Sequence, residues 1–281
     1  MKLIVENEKG EKLNLTNNSS YIVAQTTGLT PVNASINTTT MALGDGSVYN
    51  SSRLSERNIT MTIVPRKDIE KSRINLYQYI RTKRYIKIYV TTKMRDVYIE
   101  GYVESMEGDL YENPQKLMVS IICPNPFFKD VEKNVVNFSN VTKMFEFPFA
   151  LPAAGDIIST LEVYQETNVH NESDSDTGVI FDLYARDTVK NPTIYNQTKN
   201  ENFSLECELI EGDHIIINTQ KGKKSAKIIR NNEEINILNK IKKGSNWLTL
   251  ESGDNIISYI CDEGGHNLNI IITIEHIYEG V

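Results

Sequence analysis

The sequence lacks most of the residue patterns on which catalysis and cofactor binding depend. It contains no Gly-x-x-x-x-Gly-Lys phosphate loop, no His-Glu-x-x-His zinc motif and no Gly-x-Ser-x-Gly nucleophile elbow. Its four histidines are scattered and match no metal-ligand spacing: His170, His214, His266 and His276. We therefore predict no catalytic residue, no metal site and no cofactor, which leaves an enzyme as the least favoured class of function.

Cysteine is scarce and long apolar runs are missing. The three cysteines, Cys123, Cys207 and Cys261, are odd in number and form no Cys-x-x-Cys pair, which predicts a reduced protein without a disulfide framework. No apolar run approaches the roughly 18 residues that a membrane span needs. Lys2 and Glu6 lie within the first six residues, so we expect no secretory signal there.

The composition is that of an ordinary globular protein. Of the 281 residues, 40% are hydrophobic and 24% are charged, and the chain is long enough for two domains. The net charge of −7 and the pI near 5.3 argue against a general nucleic-acid coat, because an acidic surface repels polyanions.

A proline-rich stretch, Ser120–Asp130, follows a predicted strand near the middle of the chain. Pro124 and Pro126 donate no backbone hydrogen bond, so a central strand must stop there or pass to an edge. Phe127 and Phe128 are too apolar for a free linker and are expected to pin the connection to a neighbouring surface. We interpret the stretch as a stiff interdomain hinge; an ordinary proline-rich loop inside one domain is the alternative.

This hinge divides the chain into predicted domains at residues 1–130 and 131–281. In the first, alternating strands surround one predicted helix, about Ile69 to Arg81, with Asp68 as its N-cap, so we expect an α+β domain. The polar segment Gly44–Ser52 is too long for a tight turn and is expected to be a loop that is functional or ordered by a partner.

The second half consists of short predicted strands without helical periodicity, which favours a β-sandwich. The aromatic patch Phe145–Phe149 is expected to be buried at a domain seam, since it would otherwise promote aggregation. Asp174 and Asp176 have the spacing of a calcium loop, but the bidentate acid of such a loop is missing, so we predict a solvated turn. A basic stretch from Arg66 to Arg95 is either a surface for an acidic partner or for passing nucleic acid, or a solvated helix face.

Several segments, in this order, resemble the distal tail protein (Dit) family of long-tailed bacteriophages. They are Gly28-Leu-Thr-Pro31, Ala42-Leu-Gly-Asp-Gly46, Arg53-Leu-Ser-Glu-Arg57, Cys123-Pro-Asn-Pro-Phe127 and Trp247-Leu-Thr-Leu-Glu-Ser-Gly253-Asp-Asn-Ile256. The resemblance covers essentially the whole chain. It implies a mainly β protein with an N-terminal α+β ring-forming domain and a C-terminal galectin-like β-sandwich.

The resemblance also implies a structural role in the virion of a phage or tailocin, after synthesis in the cytoplasm of the bacterial host. Six N-terminal domains would form a ring that joins the tail tube protein to the tail-tip hub and to baseplate or receptor-binding proteins. DNA would only pass through the ring. Closed symmetry removes exposed sheet edges, so we predict a ring interface near Gly44, Asp45, Gly46, Arg53 and Arg57.

A carbohydrate-binding module is the rival hypothesis from another class. Trp247 is the only tryptophan, and an exposed indole on a β-sandwich can stack on a bacterial cell-wall saccharide. This hypothesis predicts an exposed Trp247 beside polar groups in a shallow groove. Core or edge packing of Trp247 within its predicted strand is the plain alternative.

Overall fold

The computed structural model describes residues 1–138 and 165–281, and it divides the chain into two compact units. Residues 1–131 and 277–281 form unit 1, and residues 132–276 form unit 2. The sequence assigned everything after residue 130 to one domain, whereas the last five residues lie in unit 1. The predicted aromatic patch Phe145–Phe149 lies outside the described residues.

Unit 1 contains eleven strands and one helix. In chain order they are β1 (Lys2–Asn7), β2 (Lys12–Asn14), β3 (Tyr21–Thr27), β4 (Ala34–Thr40), β5 (Ser47–Leu54), β6 (Arg57–Pro65), α1 (Ile69–Tyr79), β7 (Tyr85–Thr91), β8 (Asp96–Glu107), β9 (Leu117–Cys123) and β10 (Phe128–Asp130), followed after unit 2 by β24 (Ile277–Tyr278).

The main sheet of unit 1 is antiparallel, with the strand order β2-β1-β7-β8-β9-β6-β3. The sequence of strand β6 explains why this sheet forms: Ile59, Met61 and Ile63 alternate into the core, and Pro65 ends the strand. Strand β10 pairs with β8 on one side and with β24 on the other. The last residues of the chain thereby extend the first unit's sheet.

Helix α1 packs on the core of unit 1 through Leu76, with Ile80 buried just after its last turn. The helix begins after Asp68, as predicted, but the Asp68 side chain makes no capping hydrogen bond. The helical spacing of Ile69, Leu76 and Ile80 predicts one apolar stripe, but Ile69 is 41% exposed and does not belong to the core. Ile69 occupies the first turn, beyond the part of the helix that contacts the sheet.

The described part of unit 2, residues 132–138 and 165–276, contains strands and two short 3-10 helices at Leu238–Lys240 and Gly265–Asn267. The strands are β11 (Asn134–Phe138), β12 (Gln165–Asn171), β13 (Thr177–Ala185), β14 (Val189–Lys190), β15 (Thr193–Asn196), β16 (Glu201–Ser204), β17 (Glu208–Leu209), β18 (His214–Asn218), β19 (Ser225–Arg230), β20 (Glu233–Asn236), β21 (Thr249–Leu250), β22 (Gly253–Ile260) and β23 (Leu268–Ile274).

Two antiparallel sheets of unit 2 share one core. The larger has the order β11-β23-β13-β18-β19-β20, and the smaller has the order β12-β22-β15-β16. Phe181 and Ile272 of the larger sheet and Phe203 and Ile257 of the smaller belong to the same buried cluster. This packing of two sheets face to face is a β-sandwich. The prediction of a mainly β protein is confirmed.

Candidate functional site

The most unusual feature of unit 1 is a hairpin that does not pack on the hydrophobic core of the unit. Among the residues that the structure describes, strands β4 and β5 pair only with each other, from Ala34 opposite Leu54 to Thr40 opposite Ser47, and they form a sheet of their own. All of β4 and all of β5 except Leu54 are exposed. We call residues 34–54 the arm. Its threonines, serines and asparagines favour extended chain and hydrogen bonding but give neither face anything to bury.

The tip of the arm holds three of the predicted interface residues. Gly44, Asp45 and Gly46 lie in the exposed loop between β4 and β5, where Gly46 adopts a positive φ of 92°. Leu43, beside them, is fully exposed at 102% of its reference area. Apolar side chains this open to water are costly unless a partner covers them.

The structure separates the two predicted interface arginines. Arg53 lies on the exposed strand β5 of the arm, whereas Arg57 begins β6 and is 1% exposed. The Arg57 guanidinium binds four backbone carbonyl oxygens of its own unit, those of Pro126 (2.7 Å), Gly28 (2.5 Å), Thr30 (2.7 Å) and Glu279 (2.6 Å). We therefore no longer assign Arg57 to a subunit interface, because its donors are used within the chain.

Arg57 instead holds three distant segments together. Its guanidinium carbon lies 4.6 Å from the centre of the Phe128 ring, a cation–π contact inside the unit. Burial lowers the pKa of Arg57, and the nearby Cys123 and Glu279 act in the opposite direction. The Gly28–Pro31 loop, the proline-rich segment and the end of the chain therefore meet at one buried cation.

The loop around Arg57 requires glycine at position 28. Gly28 has a φ of +79°, and a Cβ built there would lie 2.1 Å from the carbonyl oxygen of Asn58. Any side chain would thus push the loop away from β6 and move the carbonyl that accepts from Arg57. The Gly28-Leu-Thr-Pro31 segment and Arg57, which are separate pieces of the sequence resemblance, meet at the buried Arg57 guanidinium.

The predicted hinge lies inside unit 1, which continues to residue 131. Phe128 is fully buried, begins β10 and pairs with Tyr278. The carbonyl of Pro126 accepts from Arg57, and Phe127 is half-buried. Pro124 is exposed. The pinning of this segment by its phenylalanines follows the sequence argument, but the surface that Phe128 contacts is the core of unit 1 itself.

The end of the chain was the part of this cluster that sequence reasoning missed. Besides the Glu279 carbonyl, the Gly280 carbonyl accepts a hydrogen bond from Arg95, and the Val281 amide donates to the Leu29 carbonyl at 3.1 Å. The guanidinium carbon of Arg95 also lies 4.1 Å from the centre of the Tyr278 ring. The sequence predicts one continuous strand from Leu268 to Tyr278, whereas the structure ends β23 at Ile274 and gives Ile277–Tyr278 to unit 1 as a separate strand.

Trp247, the predicted saccharide contact, packs against the core of unit 2. It is half-buried, its ring centre lies 5.3 Å from that of Phe203, and the Lys224 ammonium lies 5.7 Å from the ring centre. This is the packing role named as the alternative to an exposed platform. A saccharide that stacked on the indole would have to compete with these neighbours.

The acidic loop between β12 and β13 behaves as a turn. Asp174 is exposed, and Asp176 accepts a hydrogen bond from Lys199 at 2.6 Å. Asn171 is buried and donates to the carbonyls of Leu250 and Glu251, which fixes the start of the loop. Within residues 1–138 and 165–281, no group of three or more His, Cys, Asp or Glu could hold a metal ion. In the same ranges, no helix is long and apolar enough to cross a membrane.

We expect the native protein to resist thiol reagents. Burial raises the pKa of Cys123 to about 12, that of Cys207 to about 11 and that of Cys261 to about 12. Near pH 8 only about one thiol in a thousand or fewer is then the reactive thiolate. A chromogenic disulfide reagent should therefore label the native chain about a hundredfold more slowly than the urea-unfolded chain, and rapid labelling of a native cysteine would contradict this.

Comparison with known proteins gives the chain a family context. Residues 172–276 match the family described as siphovirus-type tail component, C-terminal domain. No curated protein is significantly similar to the chain in sequence. The crystal structure of the Dit protein of phage SPP1, described as a paradigm of the hub adsorption apparatus in phages that infect Gram-positive bacteria, is similar with a TM-score of 0.68. The two sequences are 11% identical, over 97% of this chain and 98% of that one.

The baseplate of phage P2 in its activated conformation with calcium contains a chain similar to this one with a TM-score of 0.49. The identity is 10%, over 97% of each chain. The SPP1 match spans both units, while the family match lies within unit 2. Residues 172–276 therefore match the siphovirus-type tail component family, and the chain has the fold of SPP1 Dit.

Proposed function

We propose that six copies of unit 1 close into a ring at the tail tip, which joins the tail tube to the baseplate or receptor-binding proteins. DNA passes through the ring without being read. Unit 2 provides a binding surface for the tail-tip hub and for receptor-binding or baseplate proteins. The interface between copies involves the arm, with Gly44, Asp45, Gly46 and Arg53 as the interface residues retained from the sequence.

The exposed arm is the observation that carries this proposal. An isolated two-stranded hairpin is marginally stable in water, and both outer edges of β4 and β5 present unpaired backbone groups. Such an element is stabilised when another chain covers it. Closed cyclic symmetry supplies the same cover to every copy and leaves no arm unmatched.

The fold and the charge support the same function. SPP1 Dit, whose fold the chain shares, is described as a hub of the adsorption apparatus. A net charge of −7 keeps a protein from binding DNA nonspecifically, which suits a ring through which DNA must move. A protein that recognises DNA needs a basic surface to bind the phosphates, whereas a ring through which DNA only passes does not.

Mass photometry of the purified chain over a range of concentrations tests the proposal. We expect a species of six times 32.0 kDa, about 192 kDa, that becomes more abundant as concentration rises. Replacing residues 34–54 with two glycines should leave a folded monomer of about 30 kDa. The replacement is feasible because the Ser55 amide already donates to the Asn33 carbonyl at 3.2 Å, so the ends of the arm are adjacent.

Circular dichroism and thermal melting provide the control for folding of the armless chain, since the arm contributes nothing to either buried cluster. A wild-type chain that stays monomeric at the highest concentrations would contradict the ring. So would an armless chain that assembles as readily as the wild type.

A further inference from the structure

Unit 2 has a polar cleft at the smaller of its two sheets. The cleft has a volume of about 320 Å³, which is within the range of about 300–1,000 Å³ that small-ligand sites occupy. Its polar lining consists of Asn191, Thr193, Ser204, Glu206, Lys242 and Asp262. These residues come from four separate segments of the chain, so the cleft is a product of the fold.

The strand register places the cleft on the outer face of the sheet. On β15 and β16, Ile194 lies opposite Phe203, and both side chains are buried in the core of the sandwich. The next pair, Thr193 opposite Ser204, therefore points away from that core, because successive side chains of a strand alternate between its faces. The Thr193 hydroxyl donates to the Ser204 hydroxyl at 3.0 Å.

Two flanking segments bring charged groups to the same place. The Lys242 amide donates to the Ser204 carbonyl at 2.9 Å, so this segment runs beside β16. The Asp262 amide donates to the Lys190 carbonyl at 3.0 Å, and the Asp262 carboxylate accepts from the Asn191 side chain at 2.7 Å. Within the described residues the Lys242 ammonium has no side-chain partner, so it is available to a ligand.

The lining is a mixed set of hydrogen-bond donors and acceptors. It includes an amide, two hydroxyls, one ammonium and two carboxylates, and its net charge is −1. A phosphate polymer is repelled by such a lining. In residues 1–138 and 165–281, no cluster of acidic, histidine and cysteine side chains could hold a metal ion. Sugar hydroxyls both donate and accept hydrogen bonds, so a mixed set of this kind suits a neutral saccharide.

An aromatic ring continues the outer face beside the cleft. Tyr195 lies two residues after Thr193 on β15, about 7 Å along the strand and on the same face. The ring is half-buried, and the Tyr195 hydroxyl has no partner among the described residues. Asn202 and Ser258 lie opposite it on the two neighbouring strands. An apolar ring edged by polar groups can pack on the C–H face of a sugar.

From these features we propose that the cleft binds a neutral saccharide. Tyr195 packs against one sugar ring, and the polar residues of the cleft bind the hydroxyl groups of the adjoining unit. Trp247 does not contribute, because it packs on the core side of the same sheet, against Phe203. The site is independent of the ring proposed above, since all its residues lie in unit 2.

Saturation-transfer NMR of the full chain with short neutral oligosaccharides tests the site. The probes are oligomers of glucose, galactose, rhamnose and N-acetylglucosamine. We expect at least one to bind with a Kd of about 1 mM or tighter. Tyr195→Ala should weaken that binding about tenfold, because the aromatic contact is lost. Asp262→Ala should have a similar effect, because it removes a charged hydrogen-bond acceptor.

Three control variants locate the binding. Tyr195→Phe keeps the ring and should stay within about twofold of the wild type. Tyr184→Ala removes a tyrosine that is 38% exposed on the other sheet of the sandwich and should leave binding unchanged. Trp247→Phe should also leave it unchanged. Circular dichroism melting shows whether each variant is folded, and Asp262→Ala decides if Tyr195→Ala is not, because Asp262 is exposed.

The failure of this inference is distinguishable from the failure of the ring. No binding of any oligosaccharide in the panel would overturn the site. Binding that persists in both Tyr195→Ala and Asp262→Ala would overturn it too, as would an equal loss in Tyr184→Ala. Each of these results leaves the ring standing, since mass photometry tests assembly through unit 1.

Discussion

Replacing Arg57 with alanine should destabilise unit 1 by about 3–5 kcal/mol. The substitution removes a buried guanidinium, leaves the four carbonyl oxygens around it without their donor and takes the cation from the face of the Phe128 ring. A buried acceptor without a donor costs free energy because it has given up water and gained nothing in return. The Gly28–Pro31 loop and the end of the chain should loosen together.

Two internal probes separate the response of unit 1 from that of unit 2. Cys123 is the only cysteine of unit 1, and its alkylation in urea, followed by peptide mass spectrometry, reports unfolding of that unit. Trp247 is the only tryptophan and reports unit 2. The labelling midpoint of Cys123 should fall, while the fluorescence midpoint of Trp247 should stay, since the four carbonyl oxygens that bind the Arg57 guanidinium lie in unit 1.

Arg53→Ala is the matched control, because Arg53 is an exposed arginine four residues earlier. Its effect on stability should stay within about 0.5 kcal/mol. Arg57→Lys should fall between the two, since one ammonium group cannot reach four carbonyls at once. Equal losses from Arg53→Ala and Arg57→Ala would show that the buried cluster contributes little.

Deleting residues 277–281 should destabilise unit 1 by about 2–4 kcal/mol, although these residues are the farthest from it in sequence. The deletion removes the pairing of β24 with β10, the ring against which Arg95 stacks, and the carbonyls of Glu279 and Gly280. The Cys123 labelling assay measures the loss.

Substitutions at Tyr278 provide the comparison. Tyr278→Phe keeps the ring beside Arg95 and should cost less than about 1 kcal/mol, whereas Tyr278→Ala should reproduce much of the deletion. A truncated chain whose Cys123 is protected as well as in the wild type would contradict the assignment of the chain end to unit 1. The deletion and Arg57→Ala both remove the hydrogen bond between Arg57 and the Glu279 carbonyl. A chain with both changes should therefore lose less stability than the sum of the two separate losses.

Elements whose burial follows a simple period were predictable from the sequence. Strand β6 alternates between core and surface, and helix α1 begins and ends close to the predicted limits of 69 and 81. Strand β5 was not predictable in this way. The sequence was interpreted as a loop over Gly44–Ser52, because a strand with neither face buried shows no apolar alternation.

The role of Arg57 was missed for a different reason. In Arg53-Leu-Ser-Glu-Arg57 both arginines look alike, and only the fold buries one of them. The carbonyls that Arg57 binds lie 27, 29, 69 and 222 residues away, and no local pattern reveals such partners. The sequence predicts that residues 277–281 belong to the sandwich, because they continue its last predicted strand without a break. A segment of five residues has too little strand propensity to indicate another location.

The buried cluster and the arm have complementary consequences for assembly. Arg57 holds the Gly28–Pro31 loop and the proline-rich segment in place, and it lies three residues after Leu54, where the arm ends. A rigid base limits the directions in which an arm can reach a neighbour, which lowers the entropy lost on docking. Stability and self-association are therefore expected to respond to different changes, Arg57→Ala for the first and replacement of residues 34–54 with two glycines for the second.

Electron microscopy of the purified chain, with the armless variant beside it, tests ring formation most directly. We predict class averages of a closed ring with six-fold symmetry around a central hole for the wild-type chain, and single particles of one copy for the armless chain. Wild-type particles that show only single copies at concentrations well above those used for mass photometry would contradict the proposal. So would armless particles that still close into six-fold rings.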